Sequence, residues 1–254
     1  MAYWVLITGA STGIGAEFAR IFAANKYNVV LTARDEARLM ALAEELKSKH
    51  SVETRVIVKD LARPDAAGEI FAELTGVPVS VLVNNAGFGA FGPFAESHLK
   101  AQTDMVQVNV TALVQLTHLF LQPMLARRFG RILNVASTAA FQPGPFKAMY
   151  FASKSFVFSF SHALANELEG AGVSVTVLCP GVTDTEFHQR AGGNPTAGGY
   201  SMMSASTVAQ AGYRGLMQGK RTVIPGLFNK FLALLVRFVP TSTATAGARK
   251  MSGK

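Results

Sequence analysis

The feature that most constrains the fold is the alternation of short apolar runs with helical segments along most of the chain. The predicted strands cover residues 3–7, 28–33, 52–58, 79–83, 131–136, 173–179 and 222–224. The predicted helices cover residues 14–25, 36–49, 65–74, 97–125 and 149–169. Strands that are apolar throughout and alternate with helices are typical of parallel sheets buried on both faces. Because crossovers are right-handed, we predict an α/β fold with a doubly wound parallel sheet of about seven strands and helices on both faces.

The composition indicates an ordered globular protein. Of 254 residues, 49% are hydrophobic and 16% are charged, which argues against disorder. We see no linker or repeat and predict one domain over residues 1–254. The lone cysteine, Cys179, excludes an internal disulfide and suits a reducing compartment. No secretory signal precedes the first apolar run, and no apolar run reaches the roughly 20 residues that span a bilayer, so we expect a cytoplasmic location.

Three glycines follow the first predicted strand, at Gly9, Gly13 and Gly15, and lead into the first helix. Such a turn lets backbone N–H groups and the helix N-terminus approach a pyrophosphate. The spacing is G-x-x-x-G-x-G and differs from the G-x-G-x-x-G fingerprint. We predict a Rossmann-like nucleotide-binding turn, and a tight structural turn that uses glycine for positive φ is the alternative.

Arg34 directly follows the second predicted strand, which ends at Ala33, and Arg38 lies one helical turn further on. In a dinucleotide-binding sheet, a carboxylate at this strand end binds the 2′-hydroxyl of NAD, whereas a cation accepts the 2′-phosphate of NADP. Asp35 suits the N-cap of the next helix. We therefore predict NADP(H), with NAD(H) less favoured. Two ordinary solvated arginines are the alternative interpretation.

Polar residues also follow the later strands, at the edge where ligands bind in this class of sheet. Asp60 and Leu61 end the third strand, residues 84–87 read NNAG after the fourth, and Ser137 follows the fifth. Asn109 lies in an otherwise apolar helical stretch, where an amide is disfavoured unless it has partners. We expect Asn109 either to bind a water molecule or to hold a helix kink.

Tyr150 and Lys154 lie four residues apart in the predicted helix 149–169, so they share one face. The usual pKa of tyrosine is about 10, and an ammonium beside the phenol favours the phenolate. A near-neutral pKa requires a shift of about 3 units, or roughly 4 kcal/mol, which a lysine and a bound cationic cofactor can supply together. The pair is therefore a candidate acid–base centre. Two solvated side chains on a helix surface are the alternative.

Together these segments resemble the short-chain dehydrogenase/reductase family, in its compact single-domain branch. The matching motifs are TGASTGIG at residues 8–15, NNAG at 84–87, YFASK at 150–154 and PGVTDT at 180–185, with Asn109 and Ser137 between them. They follow the family's order and separations over roughly residues 3–190.

The resemblance implies that Tyr150 is the general acid that protonates a carbonyl oxygen, and the base in the reverse reaction. Ser137 would polarise that carbonyl, and Lys154 would lower the pKa of Tyr150 and hold the nicotinamide ribose. Asn109 would anchor a water that relays protons toward Lys154. The cofactor-binding residues that it implies are Gly9, Ser11, Thr12, Gly13, Ile14, Gly15, Arg34, Asp60, Leu61, Asn85, Ala86, Gly87, Tyr150, Lys154, Pro180, Gly181, Val182 and Thr185.

Within that set, Asp60 and Leu61 would lie near adenine, Asn85 near a ribose, and Val182 and Thr185 near the nicotinamide. Arg34 matches the pattern of NADP-preferring members. The second basic position of those members, inside the glycine motif, is occupied here by Ser11 and Thr12, which leaves the cofactor preference partly open. No metal site is expected.

Aromatic and Met residues on the loops around Tyr150 favour an apolar substrate pocket, although packing of the loops themselves is nearly as good an explanation. They are Phe88, Phe91, Phe94, Phe141, Phe146, Phe187, Tyr200, Met202 and Met203. We expect a hydrophobic carbonyl compound or alcohol as the substrate. Residues 186–206 contain a Gly- and Ser-rich stretch that suits a substrate lid.

The C-terminal quarter carries the positive charge of the chain. The net charge is +8, yet residues 187–254 contain nine Lys/Arg and no Asp/Glu. Residues 227–254 form a basic apolar extension that begins with LFNKFLALLVRFV at 227–239. This stretch could cap the substrate pocket or pack in an oligomer interface, which we favour, or lie on an anionic membrane surface. Residues 249–254 are expected to be a disordered basic end.

The leading hypothesis is an NADP(H)-dependent oxidoreductase that interconverts a hydrophobic carbonyl compound and its alcohol. A cofactor-binding regulator or scaffold and an epimerase or dehydratase that retains its cofactor are the alternatives. The family resemblance implies a homodimer or homotetramer built through helices 97–125 and 149–169. Nucleic acid is not an expected partner, because no recognition motif accompanies the basic segment.

Overall fold

A seven-stranded parallel sheet forms the centre of the molecule in the computed structural model, which describes residues 3–187 and 202–251. In chain order, the strands of this sheet and of a separate two-stranded sheet are β1 (Trp4–Thr8), β2 (Asn28–Ala33), β3 (Thr54–Val58), β4 (Val79–Asn84), β5 (Gly130–Val135), β6 (Val173–Leu178), β7 (Thr183–Asp184), β8 (Met203–Ser204) and β9 (Thr222–Val223). The order in the sheet is β3-β2-β1-β4-β5-β6-β9, and β7 pairs with β8 in a separate two-stranded sheet.

Helices cover both faces of this sheet. They are α1 (Gly13–Ala24), α2 (Glu36–His50), α3 (Ala66–Glu73), α4 (Leu99–Val106), α5 (Ala112–Ala126), α6 (Ala148–Glu167), α7 (Ala205–Met217), α8 (Leu227–Leu235) and α9 (Thr241–Met251). Successive residues of a strand point to opposite faces, so Ile7 packs under α1, α2 and α7, whereas Leu6 packs under α3 and α5. The sheet therefore has an apolar core on each face, and a smaller third cluster forms around Val157 and Val177.

The chain reverses its direction of progress across the sheet between β1 and β4. It first builds outward through β2 and β3, and then returns to add β4 on the other side of β1. The loops that follow β1 and β4 therefore leave the sheet in opposite directions and open a crevice at the carboxyl ends of these strands. Ligands of doubly wound sheets bind at this switch point.

The predicted α/β fold with a doubly wound sheet is confirmed, with changes at several boundaries. The predicted helix 97–125 is interrupted, because a π-helical turn over Gln107–Thr111 separates α4 from α5. Asn109 lies in this turn, so the helix irregularity expected there is confirmed. Helices α7, α8 and α9 were not predicted from the sequence, and the expected disorder at residues 249–251 is wrong because α9 continues to Met251.

The predicted substrate lid, residues 186–206, lies only in part within the described residues, and its role as a lid stays a prediction. Residues 188–201 lie outside the described part of the chain, but residues 203–204 form β8 and residues 205–206 begin α7. Among the helices of residues 3–187 and 202–251, none has the length and apolar character needed to cross a bilayer.

A bidentate ion pair joins α1 to α2 on one face of the sheet. The Nε and Nη2 atoms of Arg20 donate to the two carboxylate oxygens of Glu45 at 3.0 and 2.9 Å. This hydrogen bonding lowers the pKa of Glu45 from 4.5 to about 2. Since the carboxylate is stabilised in the folded protein, the pair contributes stability above pH 4.5 that is lost as the pH falls through about 2.

We expect Glu45→Gln to lower the free energy of unfolding at neutral pH by about 1 kcal/mol, because the pair is partly exposed and solvent screens it. The deficit should shrink as the pH falls from 4.5 towards 2, where the carboxyl group of the folded wild type is half protonated. Urea denaturation at several pH values measures this. Glu44→Gln is the matched control, since Glu44 is exposed and its one ion pair within residues 3–187 and 202–251 is with Lys47 at 3.8 Å. An equal, pH-independent loss in both variants would contradict the interpretation.

Candidate active site

A cavity of about 1570 Å³ occupies the crevice at the carboxyl ends of the strands. One end is lined by the glycine turn after β1 and by the end of β2. The other end is lined by Tyr150, by loops after β4 and β5, and by residues of α8 and α9. The cavity therefore has room for an extended cofactor at one end and for a second molecule beside Tyr150.

The glycine turn packs so tightly that its glycine positions do not accommodate a side chain. Gly9 and Gly13 have φ values of +64° and +57°, which disfavour other residues. Gly15 has no room for a Cβ atom, because that atom would overlap the carbonyl oxygen of Gly9 and lie 2.6 Å from Nδ2 of Asn85. A Cβ atom on Gly13 would lie 2.9 Å from Cγ2 of Thr185.

The N-terminus of α1 is available to an anion. Thr12 occupies the N-cap position, but its side chain makes no capping hydrogen bond. The first backbone N–H groups of α1 therefore remain available as hydrogen-bond donors to a ligand. The positive end of the helix dipole lies at the same place. Ser11, Thr12 and Ile14 line the cavity at this point, as the sequence predicts. The turn has the features that a pyrophosphate group requires.

Asn85 holds the glycine turn against the end of β4. Its Nδ2 atom donates to the carbonyl oxygens of Thr8 at 2.9 Å and Gly9 at 3.2 Å. The hydroxyl of Thr8 accepts from the backbone N–H groups of Asn85 and Ala86 at 3.0 and 2.9 Å. Asn85 also lines the cavity, so its predicted place at the cofactor end agrees with the structure, while its polar atoms brace the loop.

Arg34 lines the cavity at the end of β2 and has no ion-pair partner among residues 3–187 and 202–251. Arg38 is engaged instead, because it donates to Glu186 at 2.8 Å and pairs with Asp35 at 3.3 Å. Asp35 caps α2 by accepting from the backbone N–H of Arg38, as predicted. Of the two candidate arginines, only Arg34 is therefore free to meet a phosphate.

Asp60 and Leu61 line the same end of the cavity, where the sequence predicts contact with adenine. The carboxylate of Asp60 accepts from the backbone N–H of Ala62 at 3.0 Å, which fixes the loop after β3. The sequence analysis missed Lys59, which also lines the cavity. Its ammonium pairs with Glu69 and Glu73 at 3.0 and 2.8 Å, so its charge is already neutralised.

Burial controls the protonation of the Tyr150–Lys154 pair. Burial raises the pKa of Tyr150 to about 12, partly opposed by a side-chain hydrogen bond with Ser137. Burial also lowers the pKa of Lys154 to about 8. The Nζ atom of Lys154 lies 5.8 Å from the centre of the Tyr150 ring and donates to the carbonyl oxygen of Val135 at 2.9 Å.

These values differ from the expectation that Lys154 lowers the pKa of Tyr150. In the protein alone, the loss of water around the phenol outweighs any neighbouring charge, and the pKa rises instead. Tyr150 is therefore a protonated phenol over the whole neutral range. A lowered pKa in a complex that contains a cationic cofactor stays a prediction.

Ser137 is placed beside Tyr150 by the end of β5. Its Oγ atom accepts from the backbone N–H of Ala139 at 3.1 Å and lies 3.4 Å from the carbonyl oxygen of Pro180. These contacts fix the hydroxyl, and both Ser137 and Tyr150 line the cavity. The hydroxyl and the phenol together can contact one small polar group of a bound molecule.

Asn109 completes the cluster from the π-helical turn. The buried Asn109 amide accepts from the backbone N–H of Phe88 at 3.1 Å and donates to the carbonyl oxygen of Phe88 and to Oγ of Ser153. A Cβ atom on Gly87 would lie 3.1 Å from Oδ1 of Asn109 and 3.3 Å from Nζ of Lys154. The absence of a side chain at Gly87 thus lets Asn109 and Lys154 approach each other. The predicted water on Asn109 stays a prediction.

The loop after β6 connects the two ends of the cavity. The carbonyl oxygen of Pro180 accepts from the backbone N–H of Thr138 at 2.8 Å. The side chain of Asn229 in α8 packs against Gly181 and leaves no room for a Cβ atom there. Val182 and Thr185 line the cavity, and their contact with a nicotinamide stays a prediction. This loop therefore positions both the catalytic end and α8.

The substrate end of the cavity is mostly apolar. Phe88, Phe141, Phe187 and Met203, predicted from the sequence, line it, and the Phe187 ring lies 5.4 Å from the Tyr150 ring. Four other predicted residues are not among those that line the cavity: Phe91 and Phe146 pack on each other, and Phe94 and Met202 are exposed. Tyr200 lies outside the described residues.

The sequence analysis did not assign several residues at this end. Leu232, Val236 and Ala248, from α8, the turn after it and α9, line the cavity. Capping of the pocket, one of the alternatives for this extension, agrees with this placement and stays a prediction. The apolar run at 227–239 was the available signal. Lys147 also lines the cavity, with its ammonium 5.2 Å from the Phe91 ring, and burial lowers its pKa. No sequence signal distinguished Lys147 from a surface lysine.

The comparisons with known proteins agree on one family. Residues 3–195 match the family described as short chain dehydrogenase. The mouse (Mus musculus) 17-beta-hydroxysteroid dehydrogenase type 3 is 36% identical over 71% of this chain and 60% of its own length. The very-long-chain 3-oxoacyl-CoA reductase of Phaeosphaeria nodorum is 39% identical over 68% of this chain and 52% of its own length. This chain thus spans about half to 60% of these curated relatives.

A solved structure, a short-chain dehydrogenase from Sphingobium yanoikuyae in complex with NADPH, agrees with the fold along nearly the whole chain. It has a TM-score of 0.85 and 31% sequence identity, and the match covers 94% of this chain and 93% of that one.

We expect Gly15→Ala to weaken NADPH binding at least about tenfold, because the new methyl group forces the turn away from Gly9 and displaces the N-terminus of α1. Isothermal titration with NADPH measures this, and thermal unfolding shows whether the variant is folded. Gly68→Ala is the matched control, since a Cβ atom there meets nothing within 4 Å. Unchanged NADPH affinity in a folded Gly15→Ala variant would show that the turn does not hold the cofactor.

Proposed function

This chain belongs to the short-chain dehydrogenase family, and we propose that it is an NADP(H)-dependent oxidoreductase that interconverts a hydrophobic carbonyl compound and its alcohol. One observation carries the proposal. Tyr150, Lys154, Ser137 and Asn109 meet at one end of a cavity whose other end is the glycine turn. An acid–base centre beside an apolar space and a dinucleotide-sized groove suits a transfer between cofactor and carbonyl.

The cofactor site fits a nicotinamide dinucleotide. The glycine turn and the uncapped N-terminus of α1 would hold the pyrophosphate, and Asp60 and Leu61 would flank the adenine. Val182, Thr185 and Lys154 would contact the nicotinamide end. The cofactor, when bound, supplies the hydride that reduces the carbonyl carbon.

The side chains of this protein supply the proton and the orientation. Tyr150 donates its phenolic proton to the carbonyl oxygen of the substrate, and Ser137 donates a hydrogen bond to the same oxygen. Because burial keeps the pKa of Tyr150 at about 12, the phenol is protonated at neutral pH, as reduction requires. In the reverse direction the phenol must lose its proton first, and the buried ammonium of Lys154 favours that loss electrostatically.

NADP(H) is the cofactor that we favour over NAD(H). Arg34 is the cation at the tip of β2 that is free of an ion pair within residues 3–187 and 202–251, and a 2′-phosphate would complete its hydrogen bonding. The Sphingobium yanoikuyae relative was solved with NADPH, which supports the same preference.

The substrate class follows from the apolar lining around Tyr150. The relatives are named for a steroid and for a very-long-chain acyl group, both of which are large and apolar. Phe88, Phe187, Leu232 and Val236 would surround such a group. A hydrophobic ketone therefore fits this site better than a small polar one.

A homodimer or homotetramer, predicted from the family resemblance, stays part of the proposal. Phe156 on α6 is exposed and stacks on Phe160 with ring centres 5.8 Å apart. A stacked aromatic pair with one exposed ring on a long helix is a suitable centre for an interface between copies. The predicted cytoplasmic location stays a prediction.

We expect Tyr150→Phe to lower the turnover of hydrophobic ketones at least about 100-fold, because the variant has no phenolic proton to donate, while the variant still binds NADPH. Loss of reduced-nicotinamide absorbance against a panel of ketones and aldehydes graded in apolarity measures this. Tyr3→Phe is the matched control, because it removes the same hydroxyl group from an exposed tyrosine. NADPH binding without turnover on any panel member would favour the regulator, and an unaffected Tyr150→Phe variant would remove Tyr150 from the mechanism.

We expect Arg34→Ala to weaken NADPH binding about tenfold and to leave NADH binding unchanged, because only NADPH carries the 2′-phosphate. Titration of both cofactors against the variant measures the difference. Arg214→Ala is the control, since Arg214 is exposed on α7 and does not line the cavity. Equal losses for NADPH and NADH would contradict a contact between Arg34 and the 2′-phosphate.

A further inference from the structure

Helix α8 and the single 3-10 turn that follows it, Val236–Phe238, are apolar on the side that faces the solvent. Phe231, Leu234 and Phe238, which we call the outer apolar stripe, are 60%, 56% and 79% exposed. Their spacing of three and four residues places them on one face. A helix at a protein surface normally turns polar residues outward, so an outward apolar stripe indicates a surface that something apolar covers.

The opposite side of the same helix lines the cavity. Leu232, Ala233 and Val236 face inward beside the substrate end. Leu227 and Leu235 line the cavity and are also exposed, so they form its rim. The outer apolar stripe is therefore continuous with the mouth of the cavity, and an apolar molecule can pass from one to the other without crossing a polar surface.

The charges around the stripe define what can cover it. Lys230 and Arg237 flank it, and neither has an ion-pair partner within residues 3–187 and 202–251. The sequence from residue 187 onward has nine Lys/Arg and no Asp/Glu. A second copy docked through the same patch would bring two positive surfaces together, which is unfavourable. An anionic lipid bilayer offers both apolar chains and the opposite charge.

We propose that the protein docks on anionic membrane surfaces through the outer apolar stripe, with Lys230 and Arg237 at the lipid headgroups. The mouth of the cavity then opens toward the bilayer, and the substrate is an apolar carbonyl compound dissolved in the membrane. The statement about the substrate rests on the proposed reductase function, whereas the docking itself does not.

The first experiment is co-sedimentation of the full chain with vesicles of phosphatidylcholine and of phosphatidylcholine mixed equally with phosphatidylglycerol. The wild type should bind the anionic vesicles, and high salt should weaken binding because it screens the charges. Phe231→Glu/Leu234→Glu should bind at least about tenfold more weakly, because each change places a charge where an apolar group enters the lipid. Lys230→Gln/Arg237→Gln should lower binding to anionic vesicles only.

The control variant is Leu99→Glu, which adds a charge at another exposed apolar position, at the start of α4. Leu99→Glu should bind vesicles as the wild type does. Absence of wild-type binding, or an equal loss in Leu99→Glu, would overturn the proposal. Light scattering gives a further way to overturn the proposal. If the wild type is a dimer that does not bind vesicles and Phe231→Glu/Leu234→Glu is a monomer, a second copy of the chain covers the stripe.

A second measurement separates docking from catalysis. Phe231→Glu/Leu234→Glu should reduce a water-soluble ketone at the wild-type rate and a vesicle-dissolved apolar ketone at least about tenfold more slowly. Equal rates on the vesicle-dissolved ketone would overturn the delivery of substrate from the membrane. Vesicle binding by a protein that turns over neither ketone would support docking while refuting the reductase function.

Discussion

The packing of the glycine turn against the end of β4 is the contact on which the rest of the site depends. Asn85 bonds to the carbonyl oxygens of Thr8 and Gly9, and Gly15 approaches Gly9 so closely that a methyl group does not fit. This contact fixes the N-terminus of α1 at the switch point of the sheet. The crevice that results holds the candidate cofactor groove and leads directly to Tyr150 and Lys154.

Burial has opposite consequences for the two titratable groups of the catalytic end. The loss of water raises the pKa of Tyr150 to about 12 and lowers the pKa of Lys154 to about 8, since each neutral form is easier to bury. The protein alone is therefore prepared to donate a proton from Tyr150 rather than to accept one.

Helix α8 joins the substrate end of the site to the surface of the molecule. Asn229 packs against Gly181 and donates to the carbonyl oxygen of Pro225 at 2.8 Å, which seats the helix on the loop after β6. Its inner side completes the apolar wall, while its outer side stays exposed. One short helix therefore contributes both to the wall of the cavity and to the exposed surface beside its mouth.

The sequence by itself determined the features that depend on neighbours along the chain. The apolar runs, the glycine spacing, the N-cap at Asp35 and the shared face of Tyr150 and Lys154 are local patterns, and the structure reproduces each of them. Only the tertiary structure decided which candidate groups are free and in which protonation state. Arg38 is occupied by Glu186, 148 residues away, and the pKa of Tyr150 rises because distant segments exclude water from it. These outcomes depend on contacts and burial between remote parts of the chain, which no local pattern records.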